Sequence, residues 1–180
     1  YTFDANWLVT DIRRVVDGKA VSLGRRAWDR DGMLLADIDA NGAATRYAYD
    51  AAGHLTGTTD ALGNRSSIAY DGRNQPVAFT DALGHTARRA YDAAGRPVSI
   101  SDALGHVTRY RYDQRGQLVE MIDARGGSKH FQYNRQGLLA SYTDCSGHTS
   151  EYRYDTLGRL EATQDALGHV TRYAYDVLGR

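Results

Sequence analysis

Asp102-Ala-Leu-Gly-His-Val-Thr-Arg-Tyr-Arg-Tyr-Asp-Gln-Arg-Gly-Gln-Leu-Val-Glu-Met-Ile122 is the clearest copy of a unit that returns every 21 residues. From any Tyr-Asp pair the next follows at the same step: Tyr49-Asp50, Tyr70-Asp71, Tyr91-Asp92, Tyr112-Asp113, Tyr133-Asn134, Tyr154-Asp155 and Tyr175-Asp176. Trp28-Asp29 fits one step earlier, with Trp in the tyrosine slot. A second aspartate column keeps the same phase at Asp39, Asp60, Asp81, Asp102, Asp123, Asp144 and Asp165. Between Trp28 and Arg180 no insertion or deletion breaks the step. A fixed period of this size marks a repeat architecture. It overrides the one or two domains that 180 residues alone would suggest.

Each unit parses into four parts. Val107-Thr-Arg-Tyr-Arg-Tyr112 puts Thr108, Tyr110 and Tyr112 on one face and Val107, Arg109 and Arg111 on the other. Period two with β-branched and aromatic residues means a strand. Asp113-Gln-Arg-Gly116 follows; aspartate at the first turn position bonds its own backbone, and glycine at the fourth takes a positive φ without a Cβ penalty. Leu118–Ile122 is a second strand, and Asp123-Ala-Arg-Gly126 a second turn. The unit is thus a β-hairpin plus the turn into the next. Most of the glycine is turn punctuation. Seven of the 19 lie in the first turn column (Gly32, Gly53, Gly95, Gly116, Gly137, Gly158, Gly179) and seven in the second (Gly42, Gly63, Gly84, Gly105, Gly126, Gly147, Gly168). Asn74 fills the gap in the first column, and asparagine is the residue best able to replace glycine there.

A three-residue loop at the first turn predicts Tyr112 opposite Leu118, Tyr49 opposite Leu55, Tyr154 opposite Leu160 and Tyr91 opposite Pro97. These are aromatic–aliphatic cross-strand pairs worth roughly 0.2–1 kcal/mol each. The same register predicts Tyr110 opposite Glu120 and Tyr47 opposite Gly57, with the tyrosine face as the packed one. Parity adds a constraint. With an odd repeat, two turns of like parity would send successive tyrosines to opposite faces. A uniform tyrosine column therefore needs one odd and one even loop, or one bulge per repeat, and a bulge in every hairpin would curl the sheet one way. Eight hairpins give about 15–16 strands, roughly 70 Å of sheet at ~4.8 Å spacing. Closed on itself, so broad a sheet encloses a lumen that side chains cannot fill. The expected fold is all-β, a curved, spirally wound antiparallel sheet of tandem hairpins that builds a wall and no compact core.

Residues 1–27 are irregular. Phe3-Asp4 looks like a worn Tyr-Asp pair and Asp17-Gly18 like a worn turn, but their spacing to Trp28 is wrong. This stretch reads as a divergent repeat or the edge of a preceding module, followed by the repeat segment 28–180, cut mid-repeat at both ends. Leu8, Ile12, Val15 and Val16 also fit the face of a short helix. Basic and acidic residues balance at 22 each, so no general attraction to nucleic acid or anionic membrane is expected. No stretch approaches the roughly 18 apolar residues of a membrane span. One cysteine, Cys145, makes no internal disulfide.

Chemistry is sparse. Asp37-Ile-Asp-Ala-Asn-Gly42 matches half of a calcium loop, yet Ala48 stands where a bidentate glutamate is needed, and Asp39 and Gly42 already serve the repeat's turn. His85, His106, His148 and His169 recur just after the second turn glycine. Successive copies sit two strands apart, roughly 9–10 Å, too far to share one zinc ion. The aspartate columns read as turn formers and not as catalytic carboxylates, and nothing near Cys145 activates a thiol. Arg109, Arg111, Arg153 and Arg172 suit sugar or nucleic-acid contacts, but zero net charge favours solvated strand faces. No cofactor, metal site or catalytic residue is expected.

Thr171-Arg-Tyr-Ala-Tyr-Asp-Val-Leu-Gly-Arg180, preceded by Asp165-Ala-Leu-Gly168, resembles the YD repeat of the Rhs family, which includes the C component of insecticidal toxin complexes and is related to animal teneurins. The likeness covers residues 28–180, and the Asp-Ala-Leu-Gly-His form is closest to bacterial Rhs proteins of polymorphic toxin systems. The resemblance implies a β-sheet wound into a hollow shell around a C-terminal toxin. It also implies export to the cell surface or beyond, with the rest of the same chain and secretion-system proteins as partners. The family's closing segment and self-cleavage site lie after the repeats, so they map onto no residue here. An adhesive or carbohydrate-binding surface is the alternative, with the tyrosine and arginine columns as platforms.

Overall fold

The computed structural model describes residues 1–180 and is all-β, with 17 strands and no helix. The chain divides into two compact units, Tyr1–Arg89 and Ala90–Arg180. The first holds β1 (Thr2–Phe3), β2 (Val9–Val16), β3 (Lys19–Trp28), β4 (Leu34–Asp39), β5 (Ala44–Tyr49), β6 (Leu55–Thr59), β7 (Arg65–Tyr70), β8 (Pro76–Thr80) and most of β9 (Thr86–Tyr91). The second holds β10 (Pro97–Ser101), β11 (Val107–Tyr112), β12 (Leu118–Ile122), β13 (Ser128–Tyr133), β14 (Leu139–Thr143), β15 (Thr149–Tyr154), β16 (Leu160–Gln164) and β17 (Val170–Arg172). Within each, every strand pairs antiparallel with the next in sequence.

Both turns of a repeat have one geometry. Asp113 N donates to Gln117 O at 2.9 Å and Gly116 N to Asp113 O at 3.0 Å; Asp123 N–Gly127 O at 2.9 Å and Gly126 N–Asp123 O at 3.0 Å copy them. The tight turn ends on a residue in the left-handed region. Every glycine of the two columns has φ between +79° and +87°, and Asn74 stands in with φ +62°. Two loops of like parity then need a bulge, and the structure supplies it in the strand after the first turn. Tyr112 pairs with Leu118 but Arg111 pairs with Glu120, leaving Val119 as the extra residue. The same shift recurs beside Trp28, Tyr49, Tyr70, Tyr133 and Tyr154. It overturns the second pair of the expected register: Tyr110 faces Met121 and Tyr47 faces Thr58, because the bulge moves each partner on by one.

No side chain is fully buried, and Ala162, at 8% exposure, is the one buried hydrophobic residue. The tyrosine face is half-buried, while Arg109 and Arg111 on the other face are exposed. A single sheet layer has no interior, so its apolar contacts are those between neighbours on each face.

Residues 1–28 contain no helix; Leu8, Ile12, Val15 and Val16 belong to or border the long hairpin β2–β3, which closes on the two-residue turn Asp17-Gly18. Both turn residues have positive φ, 50° and 74°, the geometry that matches strand twist and that Asp-Gly favours. Asp4 repeats the turn pattern, with Trp7 N donating to Asp4 O and Asp4 N to Leu8 O. Trp7 takes the glycine slot at φ +63°. From Asp4 to Asp29 is 25 residues, four more than the repeat, and these lengthen the two strands. That is why the spacing to Trp28 looked wrong.

Candidate functional site

The aspartates act locally. Asp113 Oδ1 accepts from Arg115 N and Gln117 N, both at 2.9 Å, and the other turn aspartates repeat the pair. Asn134 Oδ1 does the same at 2.9 and 3.0 Å, so the turn needs the oxygen and not the charge. The second oxygen takes a side chain four residues on. His106 Nδ1 lies 2.8 Å from Asp102, His169 2.9 Å from Asp165, His85 3.0 Å from Asp81, His54 3.1 Å from Asp50 and His148 3.4 Å from Asp144. Arg96 and Arg159 reach Asp92 and Asp155 at 2.7 Å, and Arg180 reaches Asp176 at 3.2 Å. The His106 and His169 side-chain bonds hold the Asp102 and Asp165 carboxyls below the usual carboxylate range. For Asp50, Asp92, Asp144, Asp155 and Asp176 the backbone N–H of the same partner residue is the main cause of the same lowering. The histidine column thus belongs to the turns. Its periodicity was visible in the sequence, but the partner was not.

The tyrosines act between hairpins. Pairing of β6 with β7 stops at Gly57↔Ser67, so Leu55 O, nearer the turn, has no ladder partner there. Tyr70 Oη donates to it at 2.9 Å. Tyr49, Tyr112, Tyr133, Tyr154 and Tyr175 bond Leu34, Pro97, Leu118, Leu139 and Leu160 in the same way, at 2.8–3.0 Å and always 15 residues back. Trp28 Nε1 reaches Val9 O at 2.8 Å, 19 residues back, four more than for the tyrosines, which matches the longer step from Asp4 to Asp29. Burial raises the Tyr112 and Tyr154 phenols above their ordinary range, keeping them protonated donors. Cations or rings from the preceding turn lie over this column: Arg96 over Tyr112 at 4.7 Å, Arg159 over Tyr175 at 4.6 Å, and His54 against Tyr70 at 5.1 Å. Sequence reasoning found the column and missed this bond, because its acceptor is a backbone oxygen on another hairpin.

The remaining candidates are scattered. Asp37 lies across from Arg26, 3.7 Å from its Nε, while Asp39 caps its own turn through Asn41 N and Ala43 N. No group of three or more His, Cys, Asp or Glu side chains is placed to hold a metal ion. Cys145 is exposed. On the face opposite the tyrosines, Glu120 accepts from Arg111 Nη1 at 2.9 Å, His130 Nδ1 stands 3.8 Å from its other oxygen, and Ser128 Oγ is 3.2 Å from His130 Nε2. The order is that of an activated-serine relay. However, the imidazole–carboxylate gap exceeds hydrogen-bonding range and the imidazole is 47% exposed, so the carboxylate neither orients the base nor keeps it dry.

A β-wall of tandem hairpins, tied by tyrosine and turned by aspartate, is the class of protein these features define. The family model described as "Teneurin YD-shell" matches residues 32–178, and the chain belongs to that Rhs/YD-repeat family. Among solved structures, the complex TcdB2-TccC3-Cdc42 superposes with a TM-score of 0.71 at 17% identity, covering 98% of this chain and 12% of that one. TcdB2-TccC3 gives 0.69 at 18% identity, with 98% and 11% covered. The Photorhabdus luminescens Tc holotoxin pore carrying TccC3-D651A gives 0.65 at 20% identity, with 83% and 9% covered. The chain thus spans about a tenth of the length of those it matches, and at this identity the likeness is one of fold. No curated relative matches significantly.

Proposed function

We propose that this chain is a stretch of the wall of a hollow β-shell that encloses a C-terminal toxin for delivery into target cells, and that the wall itself does no catalysis. The observation that carries the reading is a single sheet layer without a core, in which hairpins of constant length are joined laterally by one tyrosine bond each. Such a layer extends by repetition, and each hairpin contacts only its neighbours. Its partners are the rest of the same chain, the toxin and the proteins that export it, and its place is the bacterial surface or the medium. The toxin-complex relatives support this reading.

Limited proteolysis of the full-length protein tests it. The C-terminal segment should resist protease in the intact protein and become sensitive when Tyr112, Tyr133 and Tyr154 are together changed to phenylalanine. A segment cleaved equally in both would overturn the enclosure.

A further inference from the structure

Hairpin β11–β12 departs from the others on the face opposite the tyrosines. The position of Glu120 is Ala36, Gly57, Ala78, Ser99, Ser141 and Ala162 elsewhere, and that of Arg111 is Ala27, Ala48, Ala69 and Ala90 in the units before it and Gln132, Arg153 and Ala174 in those after. The pairs Ala48↔Gly57 and Ala69↔Ala78 show the same register built from small residues, so the wall does not need these charges. Cross-strand pairing sets Arg111, Glu120 and His130 side by side. The Glu120 side chain is only 14% exposed, and its guanidinium partner is 74% in solvent. Withdrawing a carboxylate from water is unfavourable, and so exposed a partner offsets it poorly. A half-buried charge that the register does not require points to a ligand.

These residues wall an open depression of about 580 Å³. It lies where β12 and β13 part beyond the pair Glu120↔His130. Gln132 lines it from β13, and Arg115 and Arg135 reach it from adjacent turn tips. Arg115 Nη1 bonds Arg135 O at 3.1 Å, which holds the first guanidinium over the second turn.

We propose that this depression binds an acidic saccharide, a pyranose unit bearing a carboxylate. Glu120, Arg111 and Gln132 offer planar pairs of acceptors and donors of the kind that engage vicinal hydroxyls. Arg115 and Arg135 at the mouth add positive charge in the fork geometry that suits a carboxylate. Arg111 is balanced by Glu120 and Asp113 offsets one of the two remaining guanidiniums, so the mouth keeps a positive excess and favours an anion. The volume falls in the range of small-ligand sites. The site does not rest on the shell reading.

Saturation-transfer NMR and calorimetry on the full-length protein test it, with methyl β-glucuronide, methyl β-glucoside and inorganic phosphate as probes. The variants are Glu120→Ser, which takes the residue of neighbouring units, and the double change Arg115→Ala with Arg135→Ala. The glucuronide should bind at least tenfold more tightly than the glucoside, and each variant should weaken it at least tenfold. Equal binding of the two sugars, no binding of the glucuronide, or unchanged affinity in both variants would overturn the site. Phosphate displacing the glucuronide at equal concentration would show a plain anion site and overturn the saccharide.

Discussion

The two ends of each hairpin carry the same turn but different neighbours. At the Tyr-Asp end the turn sits beside a strand bulge, and a tyrosine hydroxyl reaches the backbone of the previous hairpin. At the Asp-Ala-Leu-Gly end the turn bonds are equally short, and the tips of both ends stand in solvent: Leu62, Leu83, Leu104 and Leu167 are 80–88% exposed, Leu157 76% and Leu178 71%. Turn formation is therefore a local property that both ends share. The tyrosine bond to the backbone of the previous hairpin belongs to one end only, while hydroxyl pairs such as Thr80–Thr86 and Thr143–Thr149 link successive hairpins at the other.

The largest expected effect should not distinguish the ends. Gly116→Val and Gly105→Val each force a β-branched residue to φ +85°, and each should cost about 1–3 kcal/mol of unfolding free energy by chemical denaturation. A loss at one end within about 0.5 kcal/mol, as at a neutral surface site, would break the equivalence of the turns. Tyr133→Phe should then separate them. It removes the bond to Leu118 O and should cost about 1 kcal/mol, with faster amide exchange along β12 and β13. An unchanged exchange profile would show that the seam is decoration.

The turns also differ in pH response. The Asp102 and Asp165 carboxyls are lowered from the ordinary 3.8, so the stability they add is complete above that value and is lost as pH falls through their lowered folded values. Asn134 makes the same backbone bonds without titrating. Asp102→Asn should therefore give a shallower loss of stability on acidification, read as unfolding free energy between about pH 2 and 6. An acid limb identical to the unsubstituted protein's would show that these carboxyls are not what acid attacks. The smallest effect belongs to the solvent-facing tips. Leu104→Ser should leave stability within about 0.5 kcal/mol, and a larger loss would mean that the tip is packed against something.

The sequence by itself determined the hairpins, both turns, the left-handed glycines and the choice between unlike loops and a bulge in each repeat, because all of these follow from local periodicity and parity. Tyr112 opposite Leu118 was legible from one turn type. Tyr110 opposite Met121 was not, since parity leaves open whether the loops differ or a strand bulges, and which residue would be spare. Nor was the irregular start: from the Asp4 turn to Asp29 the step is four residues longer, and Trp28 still reaches back to Val9 O. Only the tertiary structure decided what the columns do between hairpins. The tyrosine's acceptor is a carbonyl that any residue carries, and the turn histidine's partner is an aspartate already explained by its own turn, so neither leaves a side-chain signature. Glu120 did leave one, as a charge in a column of small residues, but three strands had to be aligned before it, Arg111 and His130 became a place.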